Sequence, residues 1–178
     1  MSGFLKAILI SIITMAAIIV FINMAFFFPW YIEIVQTTFK VSQIISTDNY
    51  LAYDYYQDIL NELKDKPIFR EMAGDVKIEA FHQDGNMKSA IEQGGSRDVN
   101  AYYYHLSDES AKPYVQMGNL VTVTISATYP FRMELFGRKI TAAPIPVSFS
   151  MTTTTTRHYK DLDYNYGWGG YSVDDYDY

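Results

Sequence analysis

The sequence predicts an α+β protein in which a long N-terminal helix packs on a small antiparallel β-sheet head. Three observations predict this fold. An uncharged apolar run extends from residue 7 to residue 32. Apolar residues then recur at spacings of three and four up to Leu63, which is typical of an amphipathic helix. Beyond Pro67 the apolar period changes to two, the period of a strand with one buried face.

The composition excludes several classes of protein. The 178 residues carry 14 Lys plus Arg against 20 Asp plus Glu, a net charge of -6, and no Cys. A nucleic-acid binder needs a basic face that releases counterions from phosphates, so we expect no nucleic-acid partner. Without Cys, the chain has no disulfide framework, zinc–thiolate site or Cys nucleophile.

The apolar run indicates a helix that can cross a membrane. It exceeds the roughly 20 residues that span a hydrocarbon core and the 7 to 15 of a signal peptide's apolar stretch. It ends in residues 26–31, FFFPWY, and not in a small-residue cleavage site. Lys6 before the run and Glu33 after it favour a cytoplasmic N-terminus, and Trp30 suits an interfacial aromatic belt. We assign residues 1–32 to a transmembrane or filament-core helix.

Two residues in this segment interrupt its apolar character. Asn23 places an amide in the run, where it either seeks a partner helix or lies near enough to the outer face to reach water. Pro29 cannot donate a backbone hydrogen bond, so it predicts a kink about one turn earlier, near Ala25.

Residues 33–66 are predicted to continue the helix with one apolar stripe. The stripe comprises Ile32, Val35, Phe39, Val41, Ile44, Ile45, Ala52, Tyr55, Tyr56, Ile59, Leu60 and Leu63. Thr47, Asp48 and Asn49 favour caps and turns, so a break is expected as an option there, with Ser46 or Asp48 capping a second segment. Without a break, residues 4–64 would form one helix of about 90 Å. Pro67 closes it.

Residues 67–157 are predicted to form the β-rich head. Residues 76–81 alternate apolar and charged side chains, and residues 120–129 give the clearest strand, with Val121, Val123, Ile125 and Ala127 toward the core. Residues 131–136 turn at Gly137 into a last stretch in which Val147, Phe149 and Met151 alternate with polar residues. Residues 84–86 and 93–96 indicate a turn and a loop. We expect an antiparallel sheet with the helix covering one face.

The end of the chain allows two interpretations at each of two places. Residues 152–156 are five Thr, either the end of an exposed strand or an O-glycosylated patch. Residues 158–178 form a tail rich in Tyr, Asp and Gly without aliphatic periodicity, either disordered or lying along a neighbour. Asp174, Asp175 and Asp177 in this tail are either a solvated acidic cluster or a site for a hard cation.

The sequence indicates no catalytic or cofactor site. His82, His105 and His158 are far apart, and none has a partner at metal-ligand spacing. Phosphate-binding, dinucleotide-binding, hydrolase and zinc-protease motifs are all missing from the sequence. We therefore expect a protein that is not an enzyme and has no cofactor, metal or catalytic residues.

Residues 121–154, VTVTISATYPFRMELFGRKITAAPIPVSFSMTTT, resemble the C-terminal part of TadE-like pilus proteins in the type IV pilin superfamily. In that family a V-x-V strand, a Pro-containing connection and a final Ser/Thr-rich strand recur. Gly3-Phe4 is similar to the prepilin-peptidase junction, which follows a Gly and often precedes a Phe. The family usually has a Glu at the fifth mature position, where this chain has Ile8, and only three residues would precede the junction.

The resemblance implies a structural subunit of an extracellular pilus-like filament. Such a subunit lies in the inner or cytoplasmic membrane before a pilus assembly machinery moves it to the cell surface, and it associates with itself. The assembly stem would comprise Phe4, Ile8, Ile13, Ile18, Phe21, Asn23 and Phe27. The alternative is a single-pass membrane-anchored exported binding protein, or an accessory component of a secretion or conjugation apparatus, whose residues 33–178 fold alone.

Overall fold

The protein is an α+β fold in which a long N-terminal helix packs on a small antiparallel sheet, as the sequence predicts. A computed structural model describes residues 2–83, 87–92, 111–135, 138–141 and 144–159. The predicted turn at 84–86, the loop at 93–96, His105 and the tail from residue 160, with its Asp cluster, lie outside the described residues. The elements are α1 (Ser2–Asp48), α2 (Tyr53–Asp65), a 3-10 segment (Arg70–Asp75), β1 (Lys77–His82), β2 (Lys88–Ser89), β3 (Leu120–Tyr129), β4 (Arg132–Leu135), β5 (Arg138–Thr141) and β6 (Ile145–Thr154).

Four strands form one antiparallel sheet in the order β2-β1-β3-β6. The register places Ile125 of β3 between Ile78 of β1 and Phe149 of β6. The four residues predicted to face the core on β3, Val121, Val123, Ile125 and Ala127, are buried. Strands β4 and β5 pair only with each other and form a separate two-stranded ribbon between β3 and β6. Strand β6 ends at Thr154, inside the Thr run, with Thr152 and Thr154 exposed and the following Thr155 buried.

Helix α1 covers the inner face of β3 and β6. Its buried face holds the apolar residues Trp30, Ile34, Val41 and Ile45, together with polar Thr37, Thr38 and Ser42. The predicted stripe is therefore wrong at Ile32 and Phe39 on α1 and at Tyr55 on α2, which are 50%, 48% and 57% exposed. A small hydroxyl residue can replace an apolar one here because the helix satisfies it internally: the Thr38 Oγ1 donates to Ile34 O at 2.8 Å.

Of the two options for residues 33–66, the structure has the one with a break at Thr47–Asn49: α1 ends at Asp48 and α2 begins at Tyr53. The chain reverses after Asp48, and α2 runs antiparallel to α1. Lys40 Nζ lies 3.2 Å from Glu62 Oε2, and Lys66 pairs with Glu33. As predicted, Ile59, Leu60 and Leu63 form the buried face of α2. A single helix of about 90 Å is thus replaced by a helical hairpin that thickens the head.

Asn49 makes the reversal, since it adopts a left-handed backbone with φ of 71°. Few residues other than Gly tolerate this conformation, and Asn is one of them. Its buried Nδ2 donates to Val115 O at 2.6 Å and to Arg157 O at 3.1 Å, while its Oδ1 accepts from Val115 N at 3.2 Å. One side chain therefore joins the helix end to two distant segments of the head.

The capping of α2 also differs from the prediction. Neither Ser46 nor Asp48 caps it; the Glu92 Oε2 accepts the Tyr53 N–H at 2.9 Å. A carboxylate at this end suits the helix dipole, and here it comes from a segment 39 residues further along the chain. Ser46 instead donates from Oγ to Thr154 O at 2.7 Å, which ties α1 to the end of β6.

Three tyrosines pack beside the reversal, and one of them predicts a pH dependence. Tyr114 and Tyr159 stack with ring centroids 4.0 Å apart, next to Tyr50. Burial, aided by the Glu92 carboxylate, raises the pKa of Tyr50 to about 12 from its ordinary value of 10. The folded state therefore retains the proton that the unfolded chain releases above pH 10, and stability falls as the pH rises from 10 toward 12.

Denaturant titrations of the full chain in detergent at pH 9 and pH 11.5 would measure this effect. We expect the free energy of unfolding to fall by up to about 2 kcal/mol through Tyr50. Tyr50→Phe is the matched control and should lose that part of the pH dependence. An equal decline in both proteins would contradict the assignment to Tyr50.

Candidate assembly and anchoring site

The N-terminal half of α1 is an exposed apolar rod. We define residues 3–28 as the stem. Every side chain from residue 3 to residue 18 is exposed. This helix is long and apolar enough to cross a membrane, and none of its most apolar window is buried. Five of the predicted stem residues are exposed along it, namely Phe4, Ile8, Ile13, Ile18 and Phe21.

The other two predicted stem residues, Asn23 and Phe27, lie against the head of their own chain. Asn23 is 7% exposed, and its Nδ2 donates to Ile19 O at 2.9 Å. Its backbone carbonyl accepts the hydroxyl of Tyr129 at 2.9 Å. The amide thus bonds within its own helix, an arrangement that neither sequence interpretation of Asn23 included. An amide bonded in this way costs little in an apolar environment.

An aromatic cluster joins the stem to the head. We call Phe27, Trp30, Phe69 and Tyr129 the junction cluster. The Tyr129 ring lies 5.2 Å from both Phe27 and Trp30, edge to face, and Trp30 lies 5.3 Å from Phe69. Trp30 is only 1% exposed. Aromatic pairs in these geometries add about 0.5–1.5 kcal/mol each beyond their burial, so the cluster fixes the stem firmly to the sheet.

Pro29 lies inside α1 next to this cluster, and the helix continues through it. The predicted kink at Pro29 stays a prediction. Sequence reasoning assigned Trp30 to a membrane interface and gave Tyr129 no partner. Two sequence features could have indicated this cluster. Phe27 and Trp30 are aromatic residues about one helical turn apart, and the clearest predicted strand ends in an aromatic residue, Tyr129.

A groove of about 450 Å³ opens below the junction cluster, between the stem and the base of the head. One wall is a stripe of the stem and the other is the head. Its lining residues are Ile19, Ile22, Asn23, Phe26, Trp30, Pro67, Ile68, Tyr129 and Pro130. Because this lining is mostly apolar, the groove extends the exposed surface of the stem up to the head.

Lys6, near its start, is the one charged residue of the stem, and a cluster of charged groups lies further along α1 against α2. Glu33, Lys40, Glu62 and Lys66 surround a polar pocket of about 150 Å³ between α1 and α2. Among the described residues no three His, Cys, Asp or Glu side chains gather as a metal site would require. His82 is buried with its Nε2 2.8 Å from Pro113 O. The stem and the groove beside it thus present mainly apolar surface for packing.

The chain matches no family model, and no curated protein or solved structure is significantly similar to it. Gly3 lies in α1, with no atom near the position of an added Cβ, and processing after Gly3 stays a prediction.

The junction cluster predicts a large effect of Trp30→Ala. Removing a buried Trp leaves a cavity and should lower the free energy of unfolding by about 3–5 kcal/mol. Calorimetry of the full chain in detergent would measure it. Ile32→Ala, two residues along on the exposed side of the same helix, is the matched control and should cost much less. Equal losses would show that the contact of α1 with the sheet does not depend on Trp30.

Proposed function

We propose that the protein is a structural subunit of a pilus-like filament that assembles through its stem. One observation carries the proposal: α1 passes without interruption from the exposed stem into the core of the head. A membrane anchor only has to retain its head, and a flexible linker serves that purpose. Direct continuity fixes the orientation of the head relative to the stem, as a helically ordered filament requires.

The chemistry of the stem supports the same proposal. Its apolar side chains must be covered by lipid or by other stems, because exposing them to water costs about 25 cal/mol per Å². Lipid and a bundle of stems are similarly apolar, so close packing between helices decides between them. A subunit held in the inner or cytoplasmic membrane would therefore enter a filament core without exposing its stem to water.

The head supports the proposal through its rigidity. Three contacts hold α1 to the head at successive levels along the helix. They are the junction cluster, the hydrogen bond from Ser46 to β6 and the hydrogen bond from Asn49, just after the helix, to Val115. Stems packed in a regular bundle would consequently place the heads in a regular outer wall at the cell surface. This is the arrangement that the TadE-like resemblance implies, and a pilus assembly machinery would be the expected partner.

A second candidate is a single-pass membrane-anchored exported binding protein, or an accessory component of a secretion or conjugation apparatus. Ile8 favours it, because the family usually has a Glu at this position. The two candidates differ in the state of the assembled protein. The first gives filaments whose core is the stem, and the second gives separate particles in detergent.

Electron microscopy of material sheared from cells, with mass spectrometry of the N-terminus, tests the proposal. Filaments that contain this chain would support it, and the observed first residue would decide whether cleavage follows Gly3. Intact chain confined to the membrane fraction, without filaments, would favour the second candidate.

The stem gives a sharper test through Ile18→Asp. A carboxylate at the centre of the stem costs roughly 3 kcal/mol or more in lipid and also disrupts a packed bundle, so we expect filaments to be lost. Circular dichroism of the purified variant should still report a folded head, because residue 18 is exposed and far from the junction cluster. Ile18→Leu is the matched control and should assemble normally. A normal filament yield from Ile18→Asp would refute a filament core built from stems.

A further inference from the structure

Strand β6 leaves one edge of the sheet open. It is the last strand in the order β2-β1-β3-β6 and is ten residues long. No charged residue occurs between Lys139 and Arg157. Proteins usually protect a long edge strand with charges, bulges or a covering segment, because an open edge pairs with other strands. An uncharged edge of this length is therefore suited to receiving a strand.

The hydrogen bonds at the end of β6 show which residues face the open edge. The N–H of Thr155 donates to Asn119 O, next to β3, at 3.0 Å. The backbone N–H and C=O groups of the odd-numbered residues of β6 therefore point toward β3. On an antiparallel strand the backbone groups of alternate residues point to opposite edges. The N–H and C=O groups of Ser148, Ser150 and Thr152 therefore face outward, and within the described part of the chain no hydrogen bond to them is present.

This open edge is limited at both ends. At one end the carbonyl of Thr154 accepts from Ser46 Oγ, and the N–H of Thr156 donates to Ser46 O, both from α1. At the other end Pro146 has no N–H to offer. The open stretch is thus Ser148 to Thr152, with three outward donors and three outward acceptors. That is enough for a strand of about five residues, a usual length for a strand.

An apolar part of α1 borders the same edge. Tyr31 contacts Phe149 with ring centroids 6.3 Å apart, and Ser46 bonds β6. These contacts place the helix face that runs through residues 31, 35, 39, 42 and 46 beside β6. Phe39, on this face, is 48% exposed. A strand added to β6 would cover Phe39 and Val35 with its inward side chains.

The same chain contains a strand pair that lacks a third strand. Ribbon β4–β5 pairs with no other strand in the described part of the chain. A two-stranded ribbon alone is only marginally stable in water and gains from a further strand. We infer that the open edge of β6, residues 148–152, pairs with the β4–β5 ribbon of a second copy of this chain. This inference rests on the proposed filament function and names one contact within it.

The direction of the stems favours the ribbon over a second β6 strand. Two β6 strands paired antiparallel around a twofold axis normal to the sheet would place their α1 helices antiparallel. The two stems would then point in opposite directions and could not lie in one membrane or one filament core. Contact between β6 and a ribbon joins two different surfaces of the subunit. A heterologous contact of this kind produces an open filament when its rotation does not close into a ring, and it allows all stems to point the same way.

Ser150→Pro tests the contact directly. Proline removes the outward N–H of residue 150 but no bond of the β3–β6 ladder, and sheet edges tolerate it. We expect at least a tenfold loss of filament mass with a folded head, judged by circular dichroism. Ser150→Ala removes the same hydroxyl and keeps the N–H, so it should assemble normally. Normal assembly of folded Ser150→Pro would overturn the inference.

Cysteine cross-linking tests the contact independently of filament yield. The natural chain has no Cys, so copies carrying only Ser150→Cys and copies carrying only Glu134→Cys can be expressed together. A disulfide between position 150 and position 134 then joins two different copies, and we expect it after mild oxidation. Thr124→Cys is the matched control and takes the place of Ser150→Cys in the same experiment. Thr124 pairs with Ser150 but lies one strand inside the sheet, so it should not cross-link to position 134 of another copy.

The outcomes separate this inference from the proposed function. Filaments in which position 150 cross-links neither to position 134 nor to a Cys placed in the same way elsewhere on β4 or β5 would overturn the inference and leave the filament function standing. The cross-link in membranes, without filaments, would support the pairing and refute the filament. Cross-links between two copies at position 150, or from position 150 to another protein, would overturn the choice of the ribbon as occupant.

Discussion

The contact of Trp30 and Phe27 on α1 with Tyr129 on β3 joins two parts of the protein that are suited to different surroundings. Over residues 3–18 the stem exposes its side chains on all sides, and above the junction cluster the same helix buries one face against a sheet. Helices can serve both environments because they satisfy their backbone groups internally. Only the pattern of side chains has to differ between the two environments, from apolar all round to apolar mainly on one face. The junction cluster lies where this pattern changes.

Above the junction, the head is completed by small polar contacts at the ends of elements. Asn49 turns the chain back, Glu92 caps α2, and Ser46 fastens α1 to the last residues of β6. Each contact pairs a side chain with a backbone group that is distant from it along the chain. Because unpaired buried backbone groups are costly, these contacts also fix the relative positions of the elements. The stem therefore connects to a head whose orientation is set.

Both proposals use surfaces that this rigid arrangement leaves uncovered. The stem offers apolar area without direction, which suits close packing in a bundle. The edge of β6 offers a directional row of donors and acceptors limited by Ser46 and Pro146. In a filament the first surface would supply most of the cohesion, and the second would set the register between neighbouring heads. A subunit held only by stems would have no comparable constraint on rotation about the helix axis.

The sequence by itself determined the apolar stem, the strand from Leu120 to Tyr129 and the buried face of α2. Each of these depends on a local period of side chains, which a chain carries wherever it folds. The tertiary structure alone decided that Ile32 and Phe39 face outward while Thr38 and Ser42 are buried, because the position of the sheet selects which side of α1 is covered. It also decided that α2 folds back along α1 and that Asn23 meets Tyr129. Those contacts join residues tens of positions apart, and no local pattern specifies which distant partner will arrive.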